Sequence, residues 1–298
     1  MNTNKWIWVW IAVPLCMILL FGASVYVASV LLGERGRFVT GGGVGLLEVK
    51  GPILESQETI RQVRELKEDT NVKAVVLRIE SPGGGVGPSQ EIYEEIKKLA
   101  AQKKVVVSMG SVAASGGYYI AAPASVIYAN PGTITGSIGV LMKFATVEGL
   151  MGKLGVKAQT IKSGEFKDVG SPARPMTEKE RAMLQGVIDS TYGQFVKAVA
   201  EGRKLPVDEV KNLADGRIYT GEQAKGLKLV DKLGNLEDAV AEAGRLAGLK
   251  GEPQVIRPSK KKKILLDMLV EESAGRLGNL VKRESGVSVN YELDGFIN

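Results

Sequence analysis

The chain has 298 residues, 44% of them hydrophobic and 24% charged, enough apolar material to bury one full core and close to the upper size of a single domain. Its formal charge of +6, from 39 Lys+Arg against 33 Asp+Glu, is spread along the chain and forms no stripe suited to nucleic acid. The absence of histidine and the single cysteine, Cys16, exclude a Ser-His-Asp triad, a Cys-His dyad, a histidine- or cysteine-built zinc site and an intrachain disulfide. A general base, if the protein has one, must then be Lys, Asp, Glu, Tyr or a terminal amine.

After a short flank at 1–5, residues 6–32 are all apolar, small or uncharged, bounded by Lys5 on one side and Glu34, Arg35 and Arg37 on the other. About 20 apolar residues cross a bilayer, so this run predicts an N-terminal transmembrane helix. Trp6, Trp8 and Trp10 crowd one end, where indoles favour the headgroup region. A cleavable signal peptide is the alternative, but its apolar core is ordinarily about 7–15 residues, much shorter than this run. The flanking charges are balanced and assign no orientation.

A linker over 33–43, ending in Gly41-Gly42-Gly43, leads into a domain over 44–250 in which β-branched runs alternate with amphipathic stretches, the pattern of parallel βαβ units. Strands are expected at Val44–Val49, Ala74–Ile79, Val105–Met109, Val126–Ala129 and Ala158–Ile161. Ser56–Lys67 and a segment carrying Ile92, Ile96 and Leu99 at helical spacing are expected to be helices. Thr177 and Glu180 form a capping box ahead of a long helix with Leu184, Ile188, Phe195 and Val199 on one face. Gly221–Ala247 reads as a further helical section. In the basic tail over 251–298, Lys260 to Lys263 precede Ile264, Leu265 and Leu266, either a solvated charge run or a basic helix lying on an anionic membrane.

Glycine-rich segments after strands are where an α/β fold places its chemistry. Ser81-Pro82-Gly83-Gly84-Gly85 matches no phosphate-binding pattern, but its glycines can turn backbone N–H groups toward an oxyanion. Ala113-x-Ser115-x-Gly117 resembles a nucleophile elbow, with small neighbours permitting a sharp turn and the Gly116 N–H next to the hydroxyl. The same Ser and Gly cluster is also an ordinary turn former. Without histidine, a lysine held neutral by burial is the natural activator of such a serine. Lys162 and Lys167 lie together in the loop before the capped helix, and residue chemistry does not choose between them.

In order, SPGGG, SMGSVAASGGYY, the TGSIGV of Thr135–Val140 and KSGEFKDVGSP resemble bacterial signal peptide peptidase A, from about Val44 to Leu246. The resemblance implies a ClpP/crotonase-like spiral of ββα units. It also implies a Ser-Lys dyad of Ser115 and Lys167, with the Gly84 and Gly116 amides as oxyanion hole. Chains of this single-repeat length would assemble as homo-oligomeric, octameric rings whose sites draw serine and lysine from neighbouring subunits. The substrates implied are released signal peptides at the membrane, with the catalytic domain on the extracytoplasmic side of a single-pass anchor. Val86, Val112 and Val140 are the apolar residues expected to receive them. No metal, other cofactor or nucleic acid is called for. The rival readings are a crotonase-like acyl-CoA hydratase or hydrolase, which would need neither Ser115 nor Lys167, and an inactive membrane scaffold.

Overall fold

The computed structural model describes residues 15–24, 42–259 and 290–292. Chain contacts divide the molecule between Gly41 and Gly42. In the first unit residues 15–24 are helical with their side chains exposed; the rest of the predicted 6–32 span lies outside the described residues. Among the described residues no helix is long and apolar enough to cross a membrane. The Lys260–Lys263 run and the segment after it also fall outside them.

The second unit opens with β1 (Gly43–Lys50), α1 (Gln57–Glu68), β2 (Val72–Ser81), β3 (Gly83–Gly85), α2 (Val86–Ala100), β4 (Lys104–Ala114) and α3 (Gly116–Ala121). It continues with β5 (Val126–Ala129), β6 (Ile134–Gly136), α4 (Glu148–Lys153), α5 (Glu178–Arg203), α6 (Val207–Leu213), β7 (Ile218–Thr220) and α7 (Gly221–Gly226). The last elements are β8 (Lys232–Leu233), α8 (Leu236–Leu246), β9 (Val255–Ile256) and β10 (Asn290–Glu292).

The principal sheet runs β7-β6-β4-β2-β1-β9, with β5 beside β4 and β8 beside β5. Every pairing in it is parallel except β6 with β7. Parallel strands are covered on both faces, which is why these runs are continuously apolar. The strand period of two sorts them into opposite cores. Leu47, Val75, Leu77, Val105 and Val107 pack on the face that carries Val63, Leu66, Ile92 and Ile96 of α1 and α2. Val44, Leu46, Ala74, Val76 and Val106 pack with Ala239, Val240 and Ala243 of α8. Each fully buried aliphatic side chain contributes about 1.5–3 kcal/mol, so the central three strands anchor both layers.

The capping box is formed: Glu180 N donates to Thr177 Oγ1 at 3.2 Å, and Thr177 N donates to Glu180 at 2.8 Å. The helix behind it is 26 residues long. Its far half buries Phe195 and Val199, whereas Leu184 and Ile188 are only half-buried.

Two expectations are corrected. Ala158–Ile161 is not a strand: the segment is exposed, Ile161 fully so, and among the described residues no neighbouring strand pairs with its backbone. Gly221–Ala247 is not one helical section. Its first helix stops at Gly226, Lys228 takes a left-handed φ of 61°, and β8 separates α7 from α8.

Candidate active site

Strand β4 ends at Ala114, and the chain turns straight into α3 through Ser115, whose φ of 52° and ψ of −117° lie where side chains other than glycine rarely go. Surrounding contacts hold that strain. Ser115 N donates to Gly136 O at 2.8 Å, and Tyr119 N donates to Ser115 O at 2.8 Å. The following helix is pinned by its aromatics: buried Tyr118 donates its hydroxyl to Leu229 O at 2.8 Å, and the Tyr119 ring centroid lies 4.9 Å from that of Tyr93, in a tilted pair, and 4.9 Å from that of Phe195, in an edge-on pair. Burial pushes the Tyr119 phenol up to about 12 and Tyr118 higher still, so both remain neutral packing groups. Ser115 itself is 1% exposed.

Gly116 opens α3, so its N–H belongs to the first turn, whose amides have no partner within the helix. Gly84 lies on β3, a strand of three glycines that no propensity predicts. Ile53 N donates to Gly83 O and Gly85 N donates to Ile53 O, each at 2.8 Å. By strand alternation, the N–H and C=O of Gly84 face the other edge. A Cβ on Gly84 would stand 2.2 Å from Ile53 O, so only glycine allows this approach. On that other edge lies β10, antiparallel, with Asn290 opposite Gly85, Tyr291 opposite Gly84 and Glu292 opposite Gly83. An extended segment of the chain thus occupies the edge that bears the proposed oxyanion amide, and it also contacts α2 and α3.

The two candidate lysines have different surroundings. Lys162 Nζ bonds Glu165 O at 2.8 Å and Asp168 Oδ1 at 2.5 Å. Asp168 is also gripped by Arg174 at 2.9 and 3.0 Å, and Arg174 reaches on to Glu180 in the capping box. Arg174 first, and then Lys162, hold the Asp168 carboxyl far below the usual carboxylate range; Arg174, followed by the Thr177 amide, draws Glu180 down to about 2. Lys162 is therefore committed to a structural network. Lys167 is exposed, its amide donating to Gly164 O at 3.2 Å, and among the described residues no hydrogen bond joins its side chain to Ser115 within one chain.

Val86, Val112 and Val140 are each half-buried. Val140 lines a space of about 620 Å³ with Leu141, Phe144, Met176, Leu184 and Ile188, while Val86 opens α2 and Val112 lies three residues before Ser115 on β4. Residue reading did not single out Gly136, which accepts the Ser115 amide at a φ of 77°. The clue available was the Thr-Gly-Ser-Ile-Gly segment, rich in turn formers and placed after a strand.

The model of peptidase family S49 matches residues 97–250, and that of Clp protease matches residues 50–131. A candidate protease of Synechocystis sp. is 47% identical over 207 residues, covering 69% of this chain and 75% of that protein. Protease 4 of Salmonella typhi is 40% identical over 71% of this chain and 36% of its own length. The chloroplastic serine protease SPPA of Arabidopsis thaliana is 35% identical over 74% of this chain and 34% of its own. With a ClpP-like α/β domain, a strained serine at a strand end and these matches, the chain belongs to peptidase family S49 and is a serine peptidase of the signal peptide peptidase A kind.

Proposed function

We propose that the protein is a membrane-anchored endopeptidase in which Ser115 is the nucleophile, Lys167 the general base, and the Gly84 and Gly116 amides the oxyanion hole. The observation that carries this reading is the placing of buried, positive-φ Ser115 at the end of β4, in a fold whose β3 edge already accepts an extended chain. A peptide substrate would add to that edge as a strand, using main-chain hydrogen bonds and so tolerating varied sequence. Released signal peptides suit such a site, with their apolar residues received by Val86, Val112 and Val140.

Neutral Lys167 would take the Ser115 proton as Oγ attacks the scissile carbonyl, and the oxyanion would lie against the two glycine amides. The lysinium then protonates the departing amine. Water, deprotonated by the same lysine, releases the acyl group and restores Ser115. A lysine amine is a base at neutral pH only when desolvated. The exposure of Lys167 in a single chain supports a dyad completed between subunits of a homo-oligomeric ring, octameric by family resemblance. The long apolar run over 6–32 supports an anchor, with the peptidase domain on the extracytoplasmic side.

The test uses Ser115→Ala and Lys167→Ala in the full chain, each checked for fold, with a signal-peptide-derived peptide as substrate. Each alone should lose hydrolysis, and co-assembly of the two should restore part of it, because mixed rings contain sites with both groups. Full activity in either variant removes that residue from the mechanism, and two inactive variants that never complement place the dyad within one chain.

A further inference from the structure

Strand β4 keeps unbroken register with β2 from Ala74 opposite Lys104 to Ile79 opposite Met109, then resumes at Ser81 opposite Ala113. A step of two residues on β2 (79 to 81) is thus matched by four on β4 (109 to 113). The bulge sits where β4 leaves β5, whose last partner is Met109, and takes up β6, whose first partner is Val112. It deprives the amides of Ser111 and Val112 of ladder partners on β2.

Glu80, the β2 residue opposite the bulge, supplies them. Its Oε2 accepts Ser111 N at 2.9 Å and its Oε1 accepts Val112 N at 3.1 Å. Arg78, two residues back, stands 3.9 Å from the same carboxylate and donates to Ser108 Oγ at 2.9 Å and Met109 O at 3.2 Å, bracketing the bulge from its other end. A Cβ on Gly110 would lie 1.7 Å from Glu80 Oε2, so any side chain there would displace the carboxylate. Main-chain Glu80 O accepts Gly51 N at 2.9 Å, and the chain passes directly through Ser81 to β3. One residue therefore ties the strand that leads into Ser115 to the strand that carries Gly84.

We propose that Glu80 is a positioning residue: its carboxylate, seated over Gly110, locks the β4 bulge and thereby sets Ser115 relative to the Gly84 amide. This rests on the reading of Ser115 as nucleophile. Both carboxylate oxygens are occupied by main-chain amides, so Glu80 acts as a fixed acceptor and takes no part in proton transfer.

The test compares the full chain with Glu80→Ala, Glu80→Gln and Gly110→Ala, measuring kcat, KM and the rate at which a peptidyl phosphonate labels the serine, per folded molecule. A displacement of about 1 Å at a reacting group can cost 10²-fold, so Glu80→Ala should lower kcat and labelling by roughly 10- to 100-fold with KM little changed. Glu80→Gln, which keeps one acceptor, should recover part of the rate. Gly110→Ala should reproduce the loss, and the double variant should be no worse than the poorer single one, because both changes remove the same contact. An adduct on Ser115 that forms at wild-type rate in Glu80→Ala overturns the proposal alone. So does a loss confined to KM or to melting temperature, or additive effects in the double variant. An adduct on a residue other than Ser115 overturns the nucleophile assignment, and the proposal falls with it.

Discussion

Ser115 and Gly136 are joined through the backbone: the Ser115 amide donates to the Gly136 carbonyl at 2.8 Å, and both residues hold positive φ, 52° and 77°. Ser137, next along, is also at positive φ, 49°, with its amide held by Arg217 O at 2.8 Å. Two adjoining segments thus share a conformation that side chains other than glycine avoid, and each supports the other. Such strain survives only where surrounding structure over-determines it.

Relief of that strain is measurable. Ser115→Gly and Ser115→Ala should both abolish hydrolysis, and the glycine variant should be the more stable of the two by about 1 kcal/mol, because glycine alone accepts this φ without penalty. Chemical denaturation of the pair checks this. Equal stability would show that the elbow is relaxed.

The close approach of β3 to Ile53 makes a second prediction. In Gly84→Ala the new methyl would meet the Ile53 carbonyl at 2.2 Å, both of them backbone-anchored, so β3 must move. Loss of one oxyanion donor lowers kcat by about 10²–10³, and Gly84→Ala should fall in that range while circular dichroism stays native. A purely KM effect would contradict the placing of this amide at the oxyanion.

Acid should loosen the loop that carries Lys167. Glu180 is drawn from 4.5 down to about 2 in the folded protein, so its contribution to stability is complete above its ordinary range and fades as pH falls toward 2. Asp168, lowered further by Arg174 and Lys162, follows the same sign. Limited proteolysis should therefore cut between Lys162 and Arg174 faster at pH 3 than at pH 7. Lys162→Ala should shift that opening to higher pH yet retain measurable hydrolysis, unlike Lys167→Ala.

The pairing of β10 with β3 competes with any peptide that uses the same edge. A chain truncated before Asn290 should show KM for a short peptide lowered roughly 3- to 10-fold with kcat maintained, since a fractionally occupied site weakens apparent affinity by the free fraction. Steady-state kinetics on both forms measures it. An unchanged KM would mean that substrate does not use the β3 edge.

Much of the fold was legible because the central strands are β-branched runs buried on both faces, as in Ala74–Ile79 and Val105–Met109, and because the Thr177 capping box announces its helix. Both signals are local. The Ala158–Ile161 run has polar Gln159 and Thr160 between its apolar ends and no partner strand among the described residues, and a single run cannot disclose whether another will pair with it. Strand β3 was illegible for the opposite reason: three glycines lack strand propensity, and Ile53 with β10 imposes the conformation. Ser115 stood out through its small neighbours. The bulge that aims it did not, because the acceptor for its amides, Glu80, lies some thirty residues earlier. Residue chemistry also left Lys162 and Lys167 level, and their separation came from the Asp168–Arg174–Glu180 network, which only tertiary structure assembles.

The most direct test of the proposed dyad is the pH dependence of Ser115 acylation. A peptidyl phosphonate is reacted with the assembled wild-type chain and with Lys167→Ala, and the adduct is located by tandem mass spectrometry. The account predicts an adduct on Ser115 whose rate in the wild type rises with pH, and a rate at least 10²-fold lower, without that rise, in Lys167→Ala. An adduct on another residue, or the same rate and pH profile in both proteins, would contradict it.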